Sequence, residues 1–464
     1  MPEDWTRFKY YAERVRAVQL DPYQYANQYA LFRLAGSVYV TLRKCLGTEP
    51  LLPNLRSFEW VQVLNNEEEN VASLLLMLSP KVSSINVMMC TLGDGAAREV
   101  ATVLGSLGEN PAQLRNISIV SSPSPVLEEA VLGLGFRQQH LQQFHYTWQN
   151  HMTFKTVSHL SSMNNLQQVS LRVDRDISRK VLELGKERSG HFFPSLQLLT
   201  LVTDSLGVCE AWLGTIRHKG LQSLTLSVDQ PPTANTLRDF FTKLNDHPAH
   251  ASLRRIRFNS TNPAPRGNGL HLVTVETLSP LLRLDLTLLK LEPGAPIEIN
   301  DDFVAQMARA WPRLRMLELN ADWRRYHFAP NVTLAGLIPL AKHCPDINAL
   351  ALPISTDVSA FEEEYESGHR PTGGHSFRRC YTFGVGPSTI AQDADQLMIA
   401  GFLSDLCPDL VTVQSAWTRA GPRKEGDTSL DEELDDMGEA WKQVEKYARE
   451  MARVRRQERM WMET

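Results

Sequence analysis

The sequence predicts an α/β solenoid, a stack of short units in which parallel strands line a concave side and helices cover a convex one. Three observations lead there. A triplet of apolar residues, with two positions between the first pair and one between the second, recurs along the 464 residues. Its copies hold a period of about 30 residues, which marks a repeat architecture rather than several unrelated domains. The intervals between copies carry apolar residues at helical spacing.

In chain order, the first copy is Val15/Val18/Leu20, which closes the opening stretch Asp4–Leu20. Then come Leu55/Phe58/Trp60, Val82/Ile85/Val87, Leu114/Ile117/Ile119, Leu141/Phe144/Tyr146, Leu166/Val169/Leu171 and Leu196/Leu199/Leu201. The series continues with Leu221/Leu224/Leu226, Leu253/Ile256/Phe258, Leu281/Leu284/Leu286, Leu314/Leu317/Leu319 and Ile347/Leu350/Leu352. Two poorer copies end it, Cys380/Phe383/Val385 and Leu410/Val413/Ser415. Each triplet reads as a strand whose apolar side chains point inward and whose alternate residues face solvent.

Helices are expected between them at Val71–Leu78, Leu237–Leu244 and Phe303–Ala310. Their N-termini would be capped by Asn66 with Glu69, by Thr236 with Asp239, and by Asn300 ahead of Asp301 and Asp302. A strand, a turn and a returning helix every 30 residues or so describe leucine-rich repeats of the long type. One such unit buries too little apolar surface to offset the ordering of its backbone, so the units must stack. The predicted body is a leucine-rich-repeat solenoid, a horseshoe of about 13–14 repeats over residues 1–418. Residues 419–464 follow as a linker and a charged helix, with Leu434, Met437, Trp441, Val444 and Met451 along one side. That helix is expected to cap the apolar end of the stack, the alternative being a partner-binding helix.

Composition narrows the function. A net charge of -5 gives no global attraction to nucleic acid or anionic membranes, and no apolar run is long enough to span a bilayer. The first twenty residues lack the layout of a secretory signal, so a cytoplasmic or nuclear protein is expected. Six scattered cysteines form no CxxC pair, which supports neither a metal site nor a disulfide framework. No nucleotide-binding, metalloprotease or serine-hydrolase motif occurs, so no catalytic residue and no cofactor is assigned.

The copies LPNLRSFEW, WPRLRMLEL and HCPDINALAL, with Cys-Pro at 344–345 and 407–408, resemble the leucine-rich repeats of F-box proteins. The opening WxRFxxYAxRVR, the segment NDDFVAQMARAWPRL and the tail RRQERMW resemble the large fungal group of such proteins. The resemblance implies the substrate receptor of a Skp–cullin–F-box ubiquitin ligase, whose repeats hold a protein substrate. In that family the F-box precedes the region resembling Asp4–Leu20, and no segment of this chain fits one. A Skp-type adaptor and a cullin are therefore expected partners only if an F-box lies upstream. A repeat scaffold or inhibitor with no ubiquitin link is the alternative.

The solvent-facing residues of the triplets nominate a partner surface: Arg172, then Arg255, Arg257 and Asn259, then Arg283 and Asp285, then Glu318 and Asn320. Arg255, Arg257 and Arg283 are expected on neighbouring strands. They could grip carboxylates or phosphates, or they could pair laterally with Asp285 and Glu318. The aromatic stretch FHYTWQNHMTF, with His145 and Trp148, is a second candidate contact region. The stretch Asp357–Ser376 reads as a long irregular loop, disordered or functional.

Overall fold

In the computed structural model, the residues described are 2–19, 36–47, 49–61, 71, 74–89, 93–107, 114–121, 124–138, 140–147, 152–187, 192–265, 269–320, 330–361, 367, 369–390, 395–417 and 428–463. They divide into two compact units. The first comprises Met1–Thr203 and Ala211–Gly220, the second Asp204–Glu210 and Leu221–Thr464.

The first unit holds β1 (Ala17–Gln19), β2 (Ser57–Val61), β3 (Ser84–Met89), β4 (Asn116–Ser121), β5 (Gln143–Thr147), β6 (Gln168–Val173) and β7 (Leu198–Thr203). The second holds β8 (Ser223–Val228), β9 (Arg255–Ser260), β10 (Leu288–Glu292), β11 (Met316–Leu319), β12 (Ala349–Ala351), β13 (Thr382–Gly386) and β14 (Thr412–Ser415). Within each unit every strand pairs in parallel with the next in the chain. Parallel neighbours need a crossover, and a helix or helical turn supplies it in most repeats. The chain is an α/β leucine-rich-repeat solenoid.

The apolar triplets set the strand register. The central anchors Phe58, Ile85, Ile117, Phe144, Val169 and Leu199 align strand to strand in the first unit. Leu224, Ile256, Leu289, Leu317, Leu350, Phe383 and Val413 do so in the second. All of these anchors are buried, so each strand buries one face in the core of its own unit.

One copy is in a different register from the expected Leu281/Leu284/Leu286. Leu288, Leu289 and Leu291 of β10 pair with Arg255, Ile256 and Phe258, so the anchors are Leu286/Leu289/Leu291. The run LLRLDLTLLKLE satisfies the same spacing at both registers, five residues apart. What separates them is Pro280, which starts a short 3-10 turn over Ser279–Arg283 and keeps that end of the run out of the ladder. Leu281 and Leu284 are buried beneath this turn instead.

Helix starts follow the caps approximately. Asn300 accepts the Phe303 N–H at 3.0 Å and opens the helix Asp301–Ala310, as expected. The helix Ala234–Asp246 starts three residues earlier than expected, because Thr233 accepts the Thr236 N–H at 3.2 Å. Asn66 and Glu69 lie outside the described residues. The Cys-Pro at 344–345 has a structural reason: the Cys344 thiol donates to the carbonyls of Ala308 and Trp311 in the preceding repeat, at 3.3 and 3.2 Å. Burial pushes that thiol up to about 12, so it stays a neutral donor.

The C-terminal helix Thr428–Glu463 packs on the helix Asp395–Leu406 and on β14. It buries Trp441, Val444, Ala448 and Ala452, and the Trp441 indole donates to the Ser388 carbonyl at 2.8 Å. Of the stretch Asp357–Ser376, residues 362–366 and 368 lie outside the described residues, and the parts described are tied down. Phe361 packs against Phe402 with ring centroids 5.1 Å apart, and Val358 and Thr372 are buried. Among the described residues no helix is long and apolar enough to cross a membrane.

Candidate functional site

The second unit places a polar surface on the solvent-facing side of β8 to β11. Alternation along each strand presents Thr225 and Ser227 from β8, with Ser223 of the same alternation buried, and Arg255, Arg257 and Asn259 from β9. From β10 only Lys290 is partly exposed, Leu288 and Glu292 of the same alternation being buried, and Met316 and Glu318 follow from β11. Across the sheet these form a row, Thr225 beside Arg257, Arg257 beside Lys290, and Lys290 beside Glu318.

Charge pairing along this row is uneven. Lys290 Nζ meets Glu318 Oε2 at 2.6 Å, which engages the carboxylate at the end of that row. Arg255 and Arg257 are half-buried on β9, and among the described residues their guanidinium groups make no hydrogen bond or ion pair. The lateral ladder joining these arginines to Asp285 and Glu318 is therefore not what forms. Asp285 pairs with Arg313 and, at 3.7 Å, with Arg254, in the turn that leads into β10.

The β10 register corrects two of the expected site residues, and the turn after β11 corrects a third. Arg283 ends the 3-10 turn and is exposed there, off the strand face. Asp285 sits between that turn and β10 and belongs to the turn cluster just described. Asn320 is not a surface residue: it is fully buried in a left-handed conformation, φ 51°, and its amide donates to the Ala295 carbonyl at 3.0 Å. Glu318 is on the face as expected, but as the partner of Lys290. Lys290 itself, with Ser223 and Thr225, was not among the nominated residues. The signal for Lys290 was present, because the register Leu286/Leu289/Leu291 turns it outward.

The remaining nominated residues lie in the first unit. Arg172 is half-buried on β6, and its carbonyl accepts the Met152 N–H at 2.9 Å. His145 is on β5 between Ser118 and Ser170 of the adjoining strands, and burial lowers its pKa. Its neighbours Phe144 and Tyr146 are buried anchors, so part of the aromatic density of this stretch is core. Trp148 lies outside the described residues.

No guanidinium nitrogen of Arg255 or Arg257 is a buried, unsatisfied atom, so these paired N–H donors are open to a carboxylate or phosphate oxygen. The surface thus has the chemistry of an oxyanion receptor. Among the described residues no group of three His, Cys, Asp or Glu side chains could hold a metal ion. No protein-family model matches the chain, and no curated protein matches it.

Proposed function

We propose that the chain is a protein-interaction module that binds its partner on the strand face of β8 to β11. We further propose that it serves as the substrate-recognition part of a Skp–cullin–F-box type ubiquitin ligase receptor in the cytoplasm or nucleus. The observation that supports binding is the pair Arg255 and Arg257, two cations left without an internal partner on the strand face. Support for the ubiquitin link is the sequence resemblance of the repeats to those of F-box proteins.

One comparative purification tests both parts. Full-length chain and the double variant Arg255→Ala/Arg257→Ala are recovered from cells with their bound proteins. Partners that depend on the arginines, together with a Skp-type adaptor and a cullin that do not, are the expected result. Identical partner sets for the two proteins would remove the strand face from the proposal. Arginine-dependent partners without adaptor or cullin would favour the second reading, a repeat scaffold or inhibitor with no ubiquitin link.

A further inference from the structure

The chemical identity of what β9 binds can be taken further, on the reading that its outer face is a partner surface. Arg255 and Arg257 are two residues apart on one strand, so their side chains leave the same face about 7 Å apart. Alternate residues of an extended peptide have the same spacing. Each guanidinium also has a hydroxyl neighbour on β8, since Ser223 is in register with Arg255 and Thr225 with Arg257. Neither hydroxyl has a hydrogen bond among the described residues. The two forked donors form two oxyanion positions in series, one beside the half-buried Thr225 and one beside Ser223, which is itself buried.

The charges around them set a direction. A ligand crossing the strands would pass from Arg257 over Lys290 to Glu318, where the sign reverses. One following β9 meets Arg255, Arg257 and then the neutral, exposed Asn259. A nucleic-acid strand fits poorly, because its further phosphates would approach Glu318 and the chain carries a net charge of -5. A single phosphate would have to draw two side chains together from positions about 7 Å apart. Two carboxylates would each take one fork in place.

We propose that Arg255 and Arg257 receive an extended acidic segment of the partner protein, with Asp or Glu at two alternate positions. Arg255 takes one carboxylate with the Ser223 hydroxyl beside it, and Arg257 takes the other with Thr225. Asn259 faces the next alternate residue, which is polar and uncharged.

The test uses the full chain and fluorescent peptide pools that are degenerate except at two fixed positions: Glu-x-Glu, Gln-x-Gln, Glu-x-x-Glu and phosphoserine-x-Gln. Fluorescence anisotropy is expected to rank Glu-x-Glu at least tenfold above Gln-x-Gln and above the misspaced pool. Arg255→Ala and Arg257→Ala should each weaken Glu-x-Glu about tenfold, while Arg283→Ala, off the strand face, leaves it unchanged. Thermal melts of each variant confirm folding. Equal binding of Glu-x-Glu and Gln-x-Gln, or of the double alanine variant and wild type, overturns the proposal. A phosphoserine pool binding tenfold tighter than Glu-x-Glu does so as well and identifies a phosphate receptor. If the peptides fail while the double variant still loses proteins in the comparative purification, the acidic-segment assignment falls and the partner surface stands.

Discussion

The carboxylate of Glu445, on the C-terminal helix, accepts the backbone N–H of Val413 at 2.8 Å on β14, the last strand of the second unit. It also takes the Thr412 hydroxyl at 3.3 Å. An edge strand presents unpaired backbone donors that can template association with another chain, and here a side chain fills that position. Glu445→Ala is expected to cost about 1–3 kcal/mol, the penalty for stranding a backbone donor. Glu445→Gln keeps an acceptor and should cost less. Urea denaturation of the full chain measures the difference, and amide exchange at Val413 locates it. Unchanged exchange at Val413 in Glu445→Ala would show that the helix does not close the edge in this way.

A second node joins the irregular stretch after β12 to both terminal helices. Asp405 is a buried carboxylate that accepts the Thr372 hydroxyl at 2.5 Å, with Arg370 and Arg455 each 3.5 Å away. Arg370 is half exposed, so its pairing is screened and Arg370→Ala should cost less than about 1 kcal/mol. Asp405→Ala removes the shared acceptor and leaves Thr372 buried without it, for an expected loss of about 2–4 kcal/mol. Limited proteolysis should then cut within 357–376 before the rest of the chain. Equal losses for the two variants would mean that Asp405 does not organise the cluster.

Much of the fold is legible in the sequence because it rests on a local pattern repeated many times. Phe58, Ile85 and Leu317 were placed correctly by spacing alone, since a one-residue slip would turn an entire apolar set toward water. Where a leucine-rich run satisfied two registers, as in LLRLDLTLLKLE, spacing could not choose, and the turn begun by Pro280 decided. The site was legible only in part for a different reason. Which arginines lack a counter-charge depends on lateral neighbours about one repeat away in the chain. Glu318 is taken by Lys290, and Asp285 by Arg313 and Arg254. Nothing local to Arg255 or Arg257 encodes that outcome. The placement of Phe361 and Thr372 likewise depends on Phe402 and Asp405, which lie downstream of them in the chain.

Gly384 illustrates how tightly adjacent strands constrain the solvent face. It is in register with Ala351 of β12, and a Cβ at Gly384 would lie 2.5 Å from the Ala351 Cβ. Gly384→Ala therefore forces the two strands apart, and about 1–3 kcal/mol of stability should be lost by overpacking. Removing the opposing methyl in Ala351→Gly/Gly384→Ala should recover part of that loss. A double-mutant cycle on urea midpoints measures the coupling, and strict additivity of the two substitutions would contradict the contact.

His145 gives the first unit a pH dependence whose sign follows from its burial. Desolvation lowers its pKa below the usual 6.5, so the folded chain favours the neutral imidazole. Below that value the unfolded chain takes up a proton that the folded chain resists. The stabilisation is therefore complete above the unfolded pKa and declines as the pH falls toward the folded one. Ser118 and Ser170, its neighbours across the strands, carry no charge that would offset the protonated ring. His145→Gln keeps a polar side chain and removes the titration. The urea midpoint of wild type should drop more than that of His145→Gln between about pH 7.5 and pH 5.5. Parallel pH profiles for the two proteins would show that the imidazole is hydrated in the folded state. In that case the face of β5 would be open to solvent at His145, and the second contact region nominated from the sequence would regain its claim as a partner surface.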